Sequence, residues 1–179
     1  VSVSFVFLDI ATNCGFAQWE EGWAKPIYGS WRLPGEAGEV GRACVALHRN
    51  LSDLHDMAPI DRLYFEGGLP SNGLAGKTNA TTLYKLAALA GHAESFAYAI
   101  NARCRNVPQA SWRRHFIGKG SGFKTKDFKA LAIQRCHEYG WAPQCDNAGD
   151  ALGGLDYSIH LSEIVPPWRD TTVLRREIA

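Results

Sequence analysis

Two apolar runs of this chain each end in a carboxylate. Residues 4–9 (SFVFLD) end at Asp9, and residues 60–66 (IDRLYFE) end at Glu66. Short apolar runs of this kind are typical of strands with one or both faces buried. A carboxylate is costly to remove from water unless a positive charge meets it, and hard divalent cations prefer oxygen ligands. The pattern predicts a sheet whose strand ends carry an acidic, metal-binding site.

A second pair of acids, Asp146 and Asp150, lies at the start of a helix-like stretch. Residues four apart on a helix differ by about 40° around its axis, with β-carbons ~6 Å apart, so these carboxylates repel one another unless a cation lies between them. Asp146 is either a metal ligand or a helix N-cap, whereas Asp150, inside the helix, is interpreted as a ligand. For Asp9 and Glu66 the alternative is a surface acid at a strand end.

We interpret the four acids Asp9, Glu66, Asp146 and Asp150 as one catalytic metal site. An all-carboxylate set suits Mg²⁺ better than Zn²⁺, and Mn²⁺ is expected to substitute for Mg²⁺. Divalent ions ~3.5–4 Å apart in such a site activate water and stabilise the departing oxygen of a phosphodiester. The acids therefore indicate phosphodiester hydrolysis.

The order of the remaining segments predicts an α/β domain built on a mixed sheet. Three antiparallel strands open the chain (residues 4–9, 16–19 after a turn at 12–15, and 27–33), and apolar positions at helical spacing then mark a helix over 40–57. After the 60–66 strand we expect a helix from about residue 82 to 102, a strand over 105–109, a helix over 126–139 and a final helix from Asp146. Residues 1–165 are predicted to form one domain, and 166–179 a tail that is loosely attached from Trp168.

Composition limits the class of protein. The chain has 179 residues, of which 46% are hydrophobic and 21% charged, as is ordinary for one soluble domain. It shows no run of the ~20 apolar residues that a bilayer span needs and no signal-peptide layout, so we expect a cytosolic protein without a membrane partner. The five dispersed cysteines favour free thiols over disulfides or a zinc site.

Positive charge is concentrated between residues 103 and 135, although the net charge is only +1. This basic block is either a phosphate-binding surface or a solvated face of helix and loop. Before it, the glycine-rich segment 67–79 is predicted to be a mobile, substrate-holding loop. The block includes Arg113, Arg114, Lys119, Lys124 and Lys126, and the loop carries Lys77.

Four motifs together resemble those of RuvC-like Holliday junction resolvases, which have the RNase H-like fold. They are LDIATNCGFA at 8–17, the Phe65-Glu66 strand end, IGKGSGFK at 117–124 and NAGDAL at 147–152. The resemblance implies a five-stranded mixed sheet flanked by helices, with Asp9, Glu66 and Asp150 as catalytic metal ligands. It also implies a homodimer that cleaves four-way junctions or related branched DNA. The DNA contacts that it implies are Lys119, Lys124 and Lys126 on the DNA backbone, with Arg113, Arg114 and Lys77 as further candidates.

One position departs from the family's closing motif, because Asn147 stands where an acid is usual. Asp146 either supplies the missing carboxylate, or the site has only three acids. Two other functions stay open. A non-catalytic nucleic-acid-binding module would keep the fold without cleavage, and the segment 71–78 (SNGLAGKT) nearly matches a phosphate-binding P-loop, as expected of a nucleotide-binding protein.

Overall fold

The computed structural model describes residues 2–35, 39–66, 80–122 and 124–169. The strands in this part of the chain are β1 (Ser4–Asp9), β2 (Asn13–Glu20), β3 (Ile27–Arg32), β4 (Arg62–Glu66) and β5 (Arg103–Val107). The helices are α1 (Val40–Met57), α2 (Ala80–Ala99), α3 (Gln109–Ile117), α4 (Thr125–Glu138) and α5 (Asp146–His160), followed by a short 3₁₀ helix (Pro167–Arg169).

The five strands form one sheet in the order β3-β2-β1-β4-β5. β2 is antiparallel to both β1 and β3, whereas β4 is parallel to both β1 and β5. The prediction of an α/β fold with a mixed five-stranded sheet, whose first three strands are antiparallel, is confirmed.

Each face of the sheet is covered by its own set of helices. Side chains of a strand alternate between the two faces. Val6 and Leu8 of β1 pack in a core with α1 and α2, whereas Phe5 and Phe7 pack in a second core with α3, α4 and α5. Asp9 continues the alternation of Phe5 and Phe7, so its side chain lies on the α5 face.

Helix α5 packs directly on β1 and β2, and small residues permit this close approach. A β-carbon on Gly154 would lie 2.1 Å from the Phe7 ring. A β-carbon on Gly15 would lie 2.0 Å from the backbone oxygen of Asn147, in the first turn of α5. The start of α5 is therefore held over β2, beside the end of β1.

Helix α3 was not predicted from the sequence. We expected a strand over residues 105–109 and no helix between that strand and residue 126. In the structure, β5 ends at Val107 and α3 begins at Gln109. The helix has only nine residues, so its apolar positions repeat too few times for helical spacing to be recognised in the sequence. Its signal is the spacing of Trp112 and Phe116, four residues apart and both buried.

The expectation that the chain is loosely attached from Trp168 is wrong for the residues that the structure describes. The Trp168 ring packs against Trp19 and Trp141, with centroid distances of 5.5 and 4.9 Å. Arg169 Nε donates to Asp156 Oδ1 at 2.8 Å, and that carboxylate is buried in α5. These contacts join residues distant in sequence, so local composition did not reveal them. The domain boundary at residue 165 stays a prediction.

The five cysteines are all free thiols. Among the helices of the described ranges, none has the length and hydropathy required to cross a membrane.

Candidate active site

The two strand-end acids lie side by side. In the parallel pair β1 and β4, Asp9 is the register partner of Glu66, and both are the last residues of their strands. Neighbouring strands are about 4.8 Å apart, and paired residues point to the same face. Both carboxylates therefore project from one corner of the sheet, on the side that α5 covers.

Asp150 of α5 is the third acid at this corner. It is buried, with 7% of its surface exposed. Its carboxylate is close enough to raise the pKa of Asp9, and Glu66 in turn raises the pKa of Asp150. Asp9, Glu66 and Asp150, which we call the acid triad, therefore behave as one electrostatic unit.

The acid triad binds protons unusually tightly. Burial, followed by the charges of Glu66 and Asp150, raises the pKa of Asp9 to about 8. Burial and the Glu66 carboxylate raise the pKa of Asp150 to about 6. Carboxylates that repel one another in a desolvated site behave in this way, and a divalent cation relieves both the burial cost and the repulsion. The chemistry of the donor set thus fits Mg²⁺ or Mn²⁺.

Helix α3 orients Glu66. Gln109 Nε2 donates to Glu66 Oε1 at 2.5 Å, and Trp112 Nε1 donates to Glu66 Oε2 at 2.8 Å. Burial raises the pKa of Glu66, while these two bonds and the nearby Arg113 act in the opposite direction. Gln109 and Trp112 were missed as site residues because the helix that carries them was missed.

Arg113 is a buried cation beside the acid triad. Its guanidinium lies 4.6 Å from the centroid of the Phe128 ring and 5.4 Å from that of Trp112, and the residue is 7% exposed. Its positive charge acts to lower the pKa of each acid in the triad, in opposition to burial, which raises it. Within the described ranges, Arg113 Nε has no hydrogen-bond partner. The sequence placed Arg113 in a basic surface block, whereas the structure buries it against the site.

The fourth predicted acid, Asp146, differs from the triad in its surroundings. Cys145 holds the N-cap position of α5, so the N-cap interpretation of Asp146 is wrong. Asp146 is exposed, and Lys129 Nζ lies 3.3 Å from its Oδ2. Asn147 donates its amide to the backbone oxygen of Asn13 at 2.7 Å, which ties α5 to the start of β2. The role of Asp146 as a metal ligand stays a prediction.

The other predicted DNA contacts within the described residues are exposed side chains. Arg114, Lys119, Lys124 and Lys126 are exposed around the end of α3 and the start of α4. Lys77 lies outside the described residues, as do the rest of the 67–79 loop and the P-loop-like segment 71–78.

The triad is not a preformed cage. In the described part of the chain, no three His, Cys, Asp or Glu side chains come together closely enough to hold one metal ion. Glu66 is held toward α3 by its two hydrogen bonds. Metal binding would therefore require rotation of side chains at this corner.

The fold is the RuvC-like, RNase H-like α/β fold, as the sequence motifs predicted. No protein-family model and no curated protein matches the chain. The structure of Thermus thermophilus RuvC is similar, with a TM-score of 0.62 at 13% identity, over 91% of this chain and 96% of RuvC. T. thermophilus RuvC in complex with Holliday junction substrate has a TM-score of 0.63 at 12% identity, over 90% of this chain and 94% of that one. At such identities the likeness shows a shared fold.

Proposed function

We propose that this chain is a magnesium-dependent endonuclease that cleaves branched DNA, with four-way junctions as its preferred substrate. The observation that carries the proposal is the convergence of Asp9, Glu66 and Asp150 at one corner of the sheet. A similarly folded RuvC has been solved with a Holliday junction substrate, which supports the choice of DNA.

Asp9, Glu66 and Asp150 would hold Mg²⁺ or Mn²⁺, with Asp146 as a conditional fourth ligand. When bound, the metal would supply an activated water and stabilise the leaving oxygen of the phosphodiester. Asp9 and Asp150 must lose their protons to act as ligands, so their raised pKa values make binding stronger as pH rises.

Two positive side chains flank the acids and have distinct roles in the proposal. The Arg113 guanidinium is held by aromatic rings beside the triad, where it would favour the ionised acids and attract the scissile phosphate. Lys129, paired with Asp146 at the surface, would help to keep that carboxylate near Asp150. Both cations act to lower the pKa values of Asp9 and Asp150, and Arg113 also acts on Glu66, so Arg113 is the candidate that stands beside all three acids.

DNA on either side of the cut would contact the exposed basic residues Arg114, Lys119, Lys124 and Lys126, with Lys77 from the 67–79 loop. Each phosphate contact that is lost should lower the slope of log K against log salt by about 1. We also propose a homodimer, because a four-way junction with two-fold symmetry requires paired cuts and suits an isologous pair of subunits. Sedimentation of the free protein and of its junction complex tests this stoichiometry.

A second candidate function is a nucleic-acid-binding module without catalysis. The observation that favours it is that the described acids do not form a ready-made metal cage. Calorimetric titration with Mn²⁺ separates the two functions, because a nuclease should bind the ion and lose this binding in Asp9→Asn. Junction binding without any Mn²⁺ binding would support the module.

The test of the proposed function is cleavage of a synthetic four-way junction, compared with flap, linear duplex and single-stranded DNA, with Mg²⁺ and with EDTA. We expect Mg²⁺-dependent cutting of branched DNA that Asp9→Asn abolishes while junction binding is kept. Undiminished cutting by Asp9→Asn would refute the proposed site. Lys124→Ala and Lys126→Ala should weaken binding and flatten its salt dependence, and an unchanged slope would remove them from the interface.

A further inference from the structure

Three arginines lie together on the sheet near its β5 edge. β5 is the last strand in the order β3-β2-β1-β4-β5. Arg62 of β4 pairs in register with Arg103 of β5, and Arg105 follows two residues later on β5. Paired residues share one face of a sheet, as do residues two apart on a strand. We call the side chains of Arg62, Arg103 and Arg105 the arginine stripe.

Strand register places the arginine stripe on the same face as the acid triad. Arg62 pairs with Phe5, which packs in the core beneath α5, and its guanidinium lies 5.5 Å from the centroid of that ring. Val107, two residues after Arg105, packs in the same core and pairs with Glu66. The stripe therefore runs along this face from the corner that holds the acid triad.

The arginine stripe is open to solvent and lacks an acid partner. Arg103 and Arg105 are exposed, and Arg62 is partly buried. In the part of the chain that the structure describes, no carboxylate forms an ion pair with any of the three. Asp61, next to Arg62 in the sequence, accepts the Ser4 N–H through its Oδ2 at 2.8 Å. The charge of the stripe is thus available to an external anion.

The register pairing of Arg62 with Arg103 favours a bound anion. Like charges directly opposite one another on two strands destabilise a sheet, and an anion between them relieves the repulsion. Charged side chains on an edge strand also prevent that strand from pairing with a second sheet. Arg62, however, lies on β4, an interior strand, so edge protection does not account for it.

The dimensions of the arginine stripe suit the backbone of a DNA strand. Each residue of a strand advances about 3.3 Å, so Arg105 and Arg103 lie about 7 and 13 Å from Val107, the register partner of Glu66. Phosphates follow one another about every 3.4 Å along the axis of one DNA strand. The two arginines are therefore about two and four phosphates from the acid triad. A guanidinium group also matches the geometry of phosphate oxygens.

We propose that the arginine stripe binds the phosphate backbone of the substrate DNA, about two to four nucleotides from the scissile phosphate. The inference rests on the proposed function and deepens it, because it names the surface along which one DNA arm leaves the acid triad. It adds contacts from β4 and β5 to those proposed for residues 113–126 and for Lys77. Phosphate contacts position the arm whatever its base sequence.

The experiment measures binding of a four-way junction by the Asp9→Asn protein, which isolates binding from cleavage, over a range of salt concentrations. Arg103→Gln and Arg105→Gln should each weaken binding and lower the slope of log K against log salt by about 1. Arg105→Lys should keep the slope, because it keeps the charge. Arg49→Gln, the matched control, removes an exposed charge from α1, which packs on the opposite face, and should leave the slope unchanged.

Neutral methylphosphonates then locate the contacts on the DNA. They replace one phosphate at a time, counted from the cleavage site of the wild-type protein, in the Asp9→Asn background. About two phosphates from the cut, the replacement should weaken binding about threefold or more, and it should have no further effect once Arg105→Gln is present. With Arg103→Gln, this loss of effect should occur about two phosphates further along the same strand.

Thermal unfolding of the same variants separates binding from folding. Arg103→Gln removes a like-charge contact with Arg62, so its melting temperature should equal or exceed that of the parent. Multiplicative effects of methylphosphonates and arginine substitutions at every position would overturn the inference alone. Aggregation of the Gln variants with unchanged DNA binding would also overturn it, in favour of edge protection. Failure of Asp9→Asn to prefer junction over linear duplex would overturn the proposed substrate, and the inference with it.

Discussion

Replacing Asp9 by Asn is expected to stabilise the metal-free protein while it abolishes cleavage. Burial and two neighbouring carboxylates raise the pKa of Asp9 from 3.8 to about 8. An acid with a raised pKa holds its proton more tightly in the folded state, so its contribution to stability falls as pH rises from about 4 to about 8.

The size of the stabilisation expected of Asp9→Asn follows from the same pKa. A tenfold difference in proton affinity is about 1.4 kcal/mol, so at pH 7.5 the upper limit of the penalty is about 5 kcal/mol. Partial exposure of the side chain and joint titration with Asp150 reduce the expected gain to about 1–3 kcal/mol. At pH 5 the stabilisation by Asp9→Asn should be smaller, because pH 5 is closer to 3.8, the pKa of Asp9 in the unfolded chain, and ionisation of this group then favours unfolding less.

Urea unfolding in EDTA at both pH values measures this gain, and repetition with Mg²⁺ tests the site. Mg²⁺ should stabilise the wild-type protein by mass action and have little effect on Asp9→Asn. Asp53→Asn, an exposed acid of α1, is the control and should change stability by less than about 0.5 kcal/mol. Loss of stability in Asp9→Asn at pH 7.5 in EDTA, or equal stabilisation of both proteins by Mg²⁺, would refute the reasoning.

Three further outcomes are expected. Gly15→Ala should lower the free energy of unfolding in urea by about 1–3 kcal/mol, because the new β-carbon would meet the α5 backbone. Gly91→Ala, in open space on α2, should raise the free energy of unfolding by about 0.5–1 kcal/mol. Equal effects of the two substitutions would contradict the packing of α5 on β2. Burial opposes ionisation of Asp156, but hydrogen bonds from Arg169 and its other partners lower the pKa of Asp156. Asp156→Asn should therefore lower the free energy of unfolding by about 3 kcal/mol at neutral pH. Acid-unfolding curves should show a smaller difference at low pH, where the wild-type carboxylate is protonated. Arg113→Gln should move the midpoint of the pH–cleavage profile upward by about one pH unit, because the acids lose a nearby positive charge, while Arg113→Lys should leave it near its original value. An unchanged midpoint in Arg113→Gln would show that Arg113 does not act on the acids.

The strand ends and the alternation along them were predictable because both are local properties. An apolar run must be buried, and its side-chain period of two then assigns Asp9 to the face of Phe5 and Phe7. The spacing of Asp146 and Asp150 similarly placed both on the first turns of a helix that exists as expected. Local pattern was insufficient for α3, a nine-residue helix directly after a strand, and for the anchoring of Trp168 and Arg169.

The sequence by itself determined which segments are buried and which acids end them, because hydrophobic burial and backbone periodicity act over a few residues. Only the tertiary structure decided that β4 pairs with β1, so that Glu66 stands beside Asp9. The tertiary structure also decided that α5 brings Asp150 to the same corner and that α3 buries Arg113 there. These contacts join segments far apart in the chain, and their geometry depends on how two cores pack on opposite faces of one sheet. The raised pKa values of the acids arise from that packing, since burial and like charge act through space.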